Sequence, residues 1–313
     1  MTVTFRKYRP DTDFLRVRAL LVDTHETLGR FCNWGIERWN YARYFVMPMM
    51  GAYGLEEPSV EASREAIRLW EELIGVWEND DGEIVGAVTT EYPKRGDVFF
   101  QRRPGYKDLP GRMLDHAEEN LTDEETALRI HIGDRDEPLR ALALERGYAE
   151  DSRHPEHDST FVIAGQPEPR LPKGFALRSM SEENDIELRR EIFGRAFNHT
   201  DPAEWPSAFA YEELQRAPDY RKDLDLFVVG PGGQYVACCI VWHDERNRLG
   251  ILEPVGTHPD FRRRGLGRAV VTEGIRKAAV LGAKTVRVGS GQAFYEAIGF
   301  RIEHVGHPWT RRF

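Results

Sequence analysis

The sequence predicts an α/β fold that occurs twice along the chain, each copy a mixed sheet with helices on both faces. Two observations carry this. Apolar segments of strand character alternate with segments of helical period along the chain. Turn signals also recur at a fixed distance. The hairpin glycines Gly82 and Gly233 stand 151 positions apart, and the helix-closing glycines Gly147 and Gly299 stand 152 apart.

The repeated segments read alike. VWENDDGEIVGAV (76–88) and FVVGPGGQYVACCIV (227–241) are each strand, turn and strand, with Asp81–Gly82 and Gly232–Gly233 as the turn chemistry. ALALERGYAED (141–151) matches QAFYEAIGFRIE (292–303). TFRKYRPDTDF (4–14) matches FALRSMSEENDI (175–186), a short strand and a polar turn opening a helix. The wider offset of this last pair gives the first copy roughly 19 extra residues. They fall in the aromatic segment GRFCNWGIERWNYARYFVMPMM (29–50), where packing of Trp34, Trp39, Tyr41, Tyr44 and Phe45 is the expectation. GQPEPRLPKG (165–174) holds three prolines and two glycines, so residues 166–174 read as a linker between domains 1–165 and 175–313.

In the second copy, strands are expected near 175–179, 225–230, 235–243, 249–257, 284–289 and 300–306. Helices are expected near 182–197, 208–217, 265–281 and 292–298. The helix from 265 has apolar positions at Leu266, Val270, Ile275, Ala278 and Leu281, and Gly282 closes it.

Bulk properties narrow the function classes. The net charge of -9 argues against a nucleic-acid partner. No apolar run approaches the ~20 residues of a membrane span, and the charged N-terminus reads as no export signal. Cys32, Cys238 and Cys239 suit neither a disulfide framework nor a zinc site, so no metal is expected and the cytoplasm is the expected compartment. Monomer and homodimer stay open.

The chemistry concentrates in the second copy. The strand LGILEPVGT (249–257) leads through HPDF and RRRGLG into a helix. A helix amino end offers unbonded N–H groups and a positive dipole, which suit an anion. Gly265 and Gly267 remove the side chains that would hold a phosphate away. The pattern is neither a P-loop nor the dinucleotide fingerprint, since Val270 stands where a third glycine would be.

Arg262-x-x-Gly265-x-Gly267, preceded by VGTHPDF, resembles motif A of the GCN5-related N-acetyltransferases. QAFYEAIGF, with Phe294, Tyr295, Gly299 and Phe300, resembles that family's closing motif. Val288 and Gly291 depart from the Asn and Ala often found before it. The resemblance implies two tandem acetyltransferase-like domains, each with a mixed, mostly antiparallel sheet flanked by helices.

It also implies acetyl-CoA as acyl donor. Val255, Gly256 and Thr257 would pair with its pantetheine arm. Arg262, Arg263, Arg264, Gly265, Leu266, Gly267 and Arg268 would surround its pyrophosphate. Tyr295 takes the role of general acid toward the leaving thiolate, and Glu253, a carboxylate in an apolar strand, is the candidate base. His258 reads as a turn residue, and His243 and Trp242 as strand-end residues.

The first copy lacks this equipment. Gln101, Arg102, Arg103 and Gly105 echo the loop, but Pro104 replaces a glycine, Pro110 and Gly111 open the helix, and Ala143 aligns with Tyr295. It reads as a non-catalytic acetyltransferase-like domain. The expected activity is transfer of acetyl from acetyl-CoA to the primary amine of a small molecule. A CoA-binding sensor without turnover and a protein amine acetyltransferase are the alternatives.

Overall fold

In the computed structural model, which describes residues 2–52, 59–165 and 167–313, the repeated turns are built by the same hydrogen bonds. Gly82 N–H donates to Asn79 O at 3.0 Å, and Gly233 N–H donates to Gly230 O at 3.0 Å. Both glycines have positive φ, 76° and 84°.

Up to residue 162 the elements are β1 Val3–Lys7, α1 Pro10–Leu28, α2 Ile36–Tyr41, α3 Met47–Ala52, α4 Val60–Leu73, β2 Gly75–Asn79, β3 Ile84–Thr90, β4 Asp97–Arg102, α5 Leu109–Asn120, β5 Ala127–Gly133, α6 Glu137–Glu145, β6 Ala149–Glu150 and β7 Glu156–Val162. The remainder holds β8 Ala176–Ser179, α7 Ile186–Ala196, α8 Ala208–Leu214, β9 Asp225–Val229, β10 Tyr235–Asp244, β11 Leu249–Thr257, α9 Leu266–Val280, β12 Thr285–Val288, α10 Ala293–Ile298 and β13 Arg301–Arg312. A π-helical turn, Ala42–Val46, joins α2 to α3.

The chain forms two compact units. One comprises Met1–Trp39, Glu65–Asp158 and Ile302–Phe313; the other comprises Asn40–Arg64 and Ser159–Arg301. They differ from the halves 1–165 and 175–313 in three respects. The last strand is longer than its expected span 300–306, and its residues 306–312 pair with β5 in the first unit, burying Trp309. Ser159–Val162 of β7 pair instead with β12 in the second unit. The aromatic insert is also divided: Trp34 and Trp39 belong to the first unit, and Tyr41, Tyr44 and Phe45 to the second. The first residue of the expected linker, 166, lies outside the described residues.

In the first unit the strands run β1, β2, β3, β4, β5 and β13, with β6 also beside β13; only β4 and β5 are parallel. Its core gathers Trp77, Val85, Phe100, Met113, Leu128 and Trp309. Trp39 stacks on Phe14 at 5.2 Å and meets Trp70 at 5.3 Å, so these insert aromatics pack, as expected.

Buried His131 lies between two carboxylates, Asp97 at 2.5 Å from Nε2 and Glu156 at 2.8 Å from Nδ1. Burial works against the imidazolium, but the bonds to Asp97 and Glu156 raise its pKa above the usual value. The stabilisation is therefore full below about pH 6.5 and is lost as pH rises through the higher folded value. His131→Asn is expected to cost about 1–3 kcal/mol near pH 6 and less near pH 9, as read by urea unfolding at both pH values.

In the second unit the strands run β7, β12, β11, β10, β9 and β8; only β11 and β12 are parallel. Alternation along β10 separates its faces. Cys239 and Val241 join the core with Val270, Ile275 and Phe300, whereas Cys238 joins Ile192 and Met180. Helix α9 thus covers one face of the sheet and α7 the other. The two adjacent cysteines are fully buried free thiols, one in each core.

Candidate active site

The site begins where two parallel strands part. β11 and β12 pair only at Leu249↔Thr285, Gly250↔Val286 and Ile251↔Arg287, while β11 continues to Thr257. On its other side β11 pairs with β10 through Cys239↔Val255, Cys238↔Gly256 and Ala237↔Thr257, and His258 N–H donates to Val236 O at 3.0 Å. Backbone groups alternate in direction along an antiparallel strand. Gly256 therefore faces β10, and Val255 and Thr257 turn their N–H groups toward the opening. Gly256 has a packing role instead: a Cβ there would lie 2.6 Å from Ala196 Cβ on α7.

The loop after β11 delivers the amino end of α9 to the same opening. Gly265 has φ +80° at the N-cap, and a Cβ there would meet nothing within 4 Å. The first bond of the helix is Ala269 N–H to Gly265 O at 2.9 Å, which leaves the N–H groups of Leu266, Gly267 and Arg268 without an earlier turn to bond. A Cβ at Gly267 would lie 2.8 Å from Thr257 Oγ1 and 3.4 Å from the Phe294 ring, so this glycine lets helix and strand end approach. The residues form a cradle of backbone donors that suits a phosphate.

The arginines divide. Arg262 ties the loop to α7, donating through Nη2 to Ala196 O at 3.0 Å and Asn198 Oδ1 at 2.9 Å, and through Nε to Thr257 O at 3.2 Å. Arg263 and Arg264 are exposed in the loop, and Arg264 lies over Phe261 with 5.1 Å to the ring centroid. Exposed Arg268 reaches Ala297 O at 3.3 Å, while Leu266 buries its side chain and contributes backbone alone. His258 is a turn residue, its Nδ1 accepting Asp260 N–H at 3.2 Å.

Tyr295 is 7% exposed on α10, its ring 4.9 Å from Phe294 and 5.6 Å from Phe300. Burial raises its phenol well above the usual value, with Cys239 and Glu253 adding to the effect, so it stays protonated at neutral pH. Glu253 is half-buried on β11, and Trp242 Nε1 anchors its carbonyl at 2.7 Å. The Tyr295 phenol and the Glu253 carboxylate thus lie within electrostatic range of each other. Trp242, expected only at a strand end, holds the backbone of the candidate base.

The acetyltransferase (GNAT) domain profile matches residues 222–302, which span β9 to α10 and contain every one of these groups. An uncharacterized N-acetyltransferase of Methanocaldococcus jannaschii is 25% identical over 158 residues, covering 45% of this chain and 67% of that protein. Residues 222–302 thus carry a GNAT acetyltransferase domain. The fold of the chain is similar to that of a tandem GNAT protein from the clavulanic acid biosynthesis pathway, with a TM-score of 0.65, 13% identity and 99% and 98% of the two chains covered. A GCN5-related N-acetyltransferase from Sphaerobacter thermophilus gives 0.60 at 17% identity, with 99% and 95% covered.

The first unit carries the same GNAT plan with its strand edge occupied. Arg103 N–H donates to Val85 O as His258 N–H does to Val236 O, which places Phe100, Gln101 and Arg102 opposite Val255, Gly256 and Thr257. Asn33 Nδ2 donates to Phe100 O at 3.0 Å, Thr24 Oγ1 reaches Arg102 O at 3.4 Å, and Trp34 N–H donates to Gln101 Oε1 at 3.0 Å. At the amino end of α5, the acidic residue Asp108 holds the N-cap that Gly265 holds in α9, its side chain making no capping hydrogen bond. The helix ends confirm the last correspondence: Tyr148 N–H donates to Ala143 O as Phe300 N–H does to Tyr295 O.

Among the described residues no group of three or more His, Cys, Asp and Glu side chains is disposed to hold a metal ion, and no helix is long and apolar enough to cross a membrane.

Proposed function

We propose that the second half transfers acetyl from acetyl-CoA to the primary amine of a small molecule by direct attack. The observation that carries this reading is the convergence of an open strand edge, a glycine-lined helix amino end, a buried phenol and a half-buried carboxylate at one opening. The N–H groups of Leu266, Gly267 and Arg268 would hold the pyrophosphate, and Val255 and Thr257 would hydrogen-bond the pantetheine arm. The cradle fits, since Gly265 leaves open space and Gly267 brings the helix against Thr257. The donor supplies an acyl group activated as a thioester.

The residues of the chain do the rest. Glu253 takes a proton from the acceptor ammonium, freeing the nitrogen lone pair. Val255 N–H, directed to the opening, stabilises the negative charge that forms on the carbonyl oxygen as the nitrogen–carbon bond is made. When the carbon–sulfur bond breaks, Tyr295 gives its proton to the sulfur; the nitrogen, cationic once bonded to carbon, releases its second proton to solvent, and solvent reprotonates Tyr295 and deprotonates Glu253. The first unit, with its edge filled by Asn33 and Thr24 and a carboxylate at α5, serves as a non-catalytic partner domain.

The test is thiol release from acetyl-CoA, corrected for hydrolysis, with phenylethylamine, spermidine, glucosamine and lysine as acceptors, together with calorimetry. Amine-dependent release and binding of one acetyl-CoA per chain are expected. Binding without amine-dependent release would point to a sensor, and two binding sites would show that the first unit is open.

A further inference from the structure

We infer that Tyr41 is an acceptor-binding residue of this site, its hydroxyl accepting a hydrogen bond from the amine that Glu253 deprotonates. The inference rests on the acetyltransferase reading and adds a residue from the first half of the sequence to a site otherwise confined to 249–300.

Tyr41 belongs to the second compact unit by its contacts, although it lies far from the other site residues in sequence. It is 8% exposed, and its hydroxyl is buried with no hydrogen-bond partner among the described residues. A buried hydroxyl left unpaired costs about 1–3 kcal/mol, so such a group calls for a ligand or a water. Its ring is held in place: it stacks on Phe45 at 4.7 Å, and Phe45 meets Phe193 at 5.2 Å and Tyr211 at 4.9 Å. The π-helical turn that begins at Ala42 starts directly after it, a backbone form frequent at functional sites.

The surroundings lead to β11. Phe193 packs on Phe197 at 4.6 Å, and a Cβ on Gly256 would lie 3.7 Å from the Phe197 ring. Tyr211 accepts Arg189 Nη1 at 3.1 Å, and Arg189 Nε donates to Asp225 at 2.9 Å, so this charge pair sits beneath the same aromatic cluster. Burial, then the charges of Tyr211 and Glu253, keep the Tyr41 phenol well above its usual range. Glu253 therefore lies within electrostatic range of two protonated phenols, Tyr295 and Tyr41. Tyr295 comes from the closing motif that resembles the donor side of the family. Tyr41 comes from the insert and is free to meet the acceptor.

The test is Tyr41→Phe in the full chain, using the best acceptor among phenylethylamine, spermidine, glucosamine and lysine. The KM for that amine should rise about tenfold, equivalent to about 1.4 kcal/mol, with kcat changed less than about threefold. Acetyl-CoA affinity by calorimetry and the melting temperature should stay unchanged, because the hydroxyl bonds no group among the described residues. An unchanged amine KM, or a lowered melting temperature without a KM effect, would overturn the inference and leave the acetyltransferase reading standing. Absence of turnover by the wild-type protein with every amine would overturn both.

Discussion

Tyr295→Phe is expected to lower kcat by about a hundredfold or more while acetyl-CoA affinity stays within about twofold. The ring is 7% exposed and is held by Phe294 and Phe300, so deletion of the oxygen leaves its packing intact. Affinity and folding have no reason to change. In the proposed mechanism, however, the proton for the leaving sulfur comes from that oxygen. Burial, assisted by Cys239 and Glu253, raises the phenol above its ordinary value, so the acid form persists through neutral pH and declines only in strongly alkaline solution. Wild-type kcat should therefore show no alkaline fall between about pH 7 and 9 from this group. Thiol release under saturating amine, set beside calorimetry of acetyl-CoA binding, separates the two quantities. Equal kcat in the variant would remove Tyr295 from the reaction.

Gly265→Glu is expected to weaken acetyl-CoA binding by about a hundredfold or more, as read by calorimetry. Two effects add. The glycine sits at φ +80°, where a side chain costs about 1–2 kcal/mol. The new carboxylate would enter the open space in front of the Leu266, Gly267 and Arg268 N–H groups and occupy the positive end of α9 before a phosphate could. Because nothing lies within 4 Å of the added Cβ, the fold itself should survive, with a melting temperature only a few degrees lower. Gly265→Ala isolates the backbone cost and should retain most of the affinity. Unchanged binding by the Glu variant would move the phosphate site elsewhere. The first unit has an acidic residue, Asp108, at the matching N-cap of α5.

The repeat was legible in the sequence because its markers are local. A hairpin glycine or a glycine after a helix is required by a backbone angle within a few residues of itself. The same hydrogen bonds therefore recur at Gly82 and Gly233, and at the helix ends after Ala143 and Tyr295. The helix from 265, the strand 249–257 and the short helix that carries Tyr295 were legible for the same reason: strand alternation, helical period and cap chemistry agree at each of them. The Arg262–Arg264 run was less legible. Composition marks it as basic, but only the contacts of Arg262 with Ala196 and Asn198 show that one of the three braces the loop against α7.

What the sequence by itself determined is the order of the elements, the two copies, and the place of the loop, Tyr295 and Glu253 in the second. Only the tertiary structure decided which unit receives β13, that Asn33 and Thr24 close the edge of β4, and that Tyr41 stacks on Phe45, which meets Phe193 and Tyr211 in the second unit. The physical reason is the range of the interactions. A cap or turn is encoded by neighbours in the chain, whereas an unpaired strand edge accepts any backbone or side chain of suitable polarity that the fold brings to it.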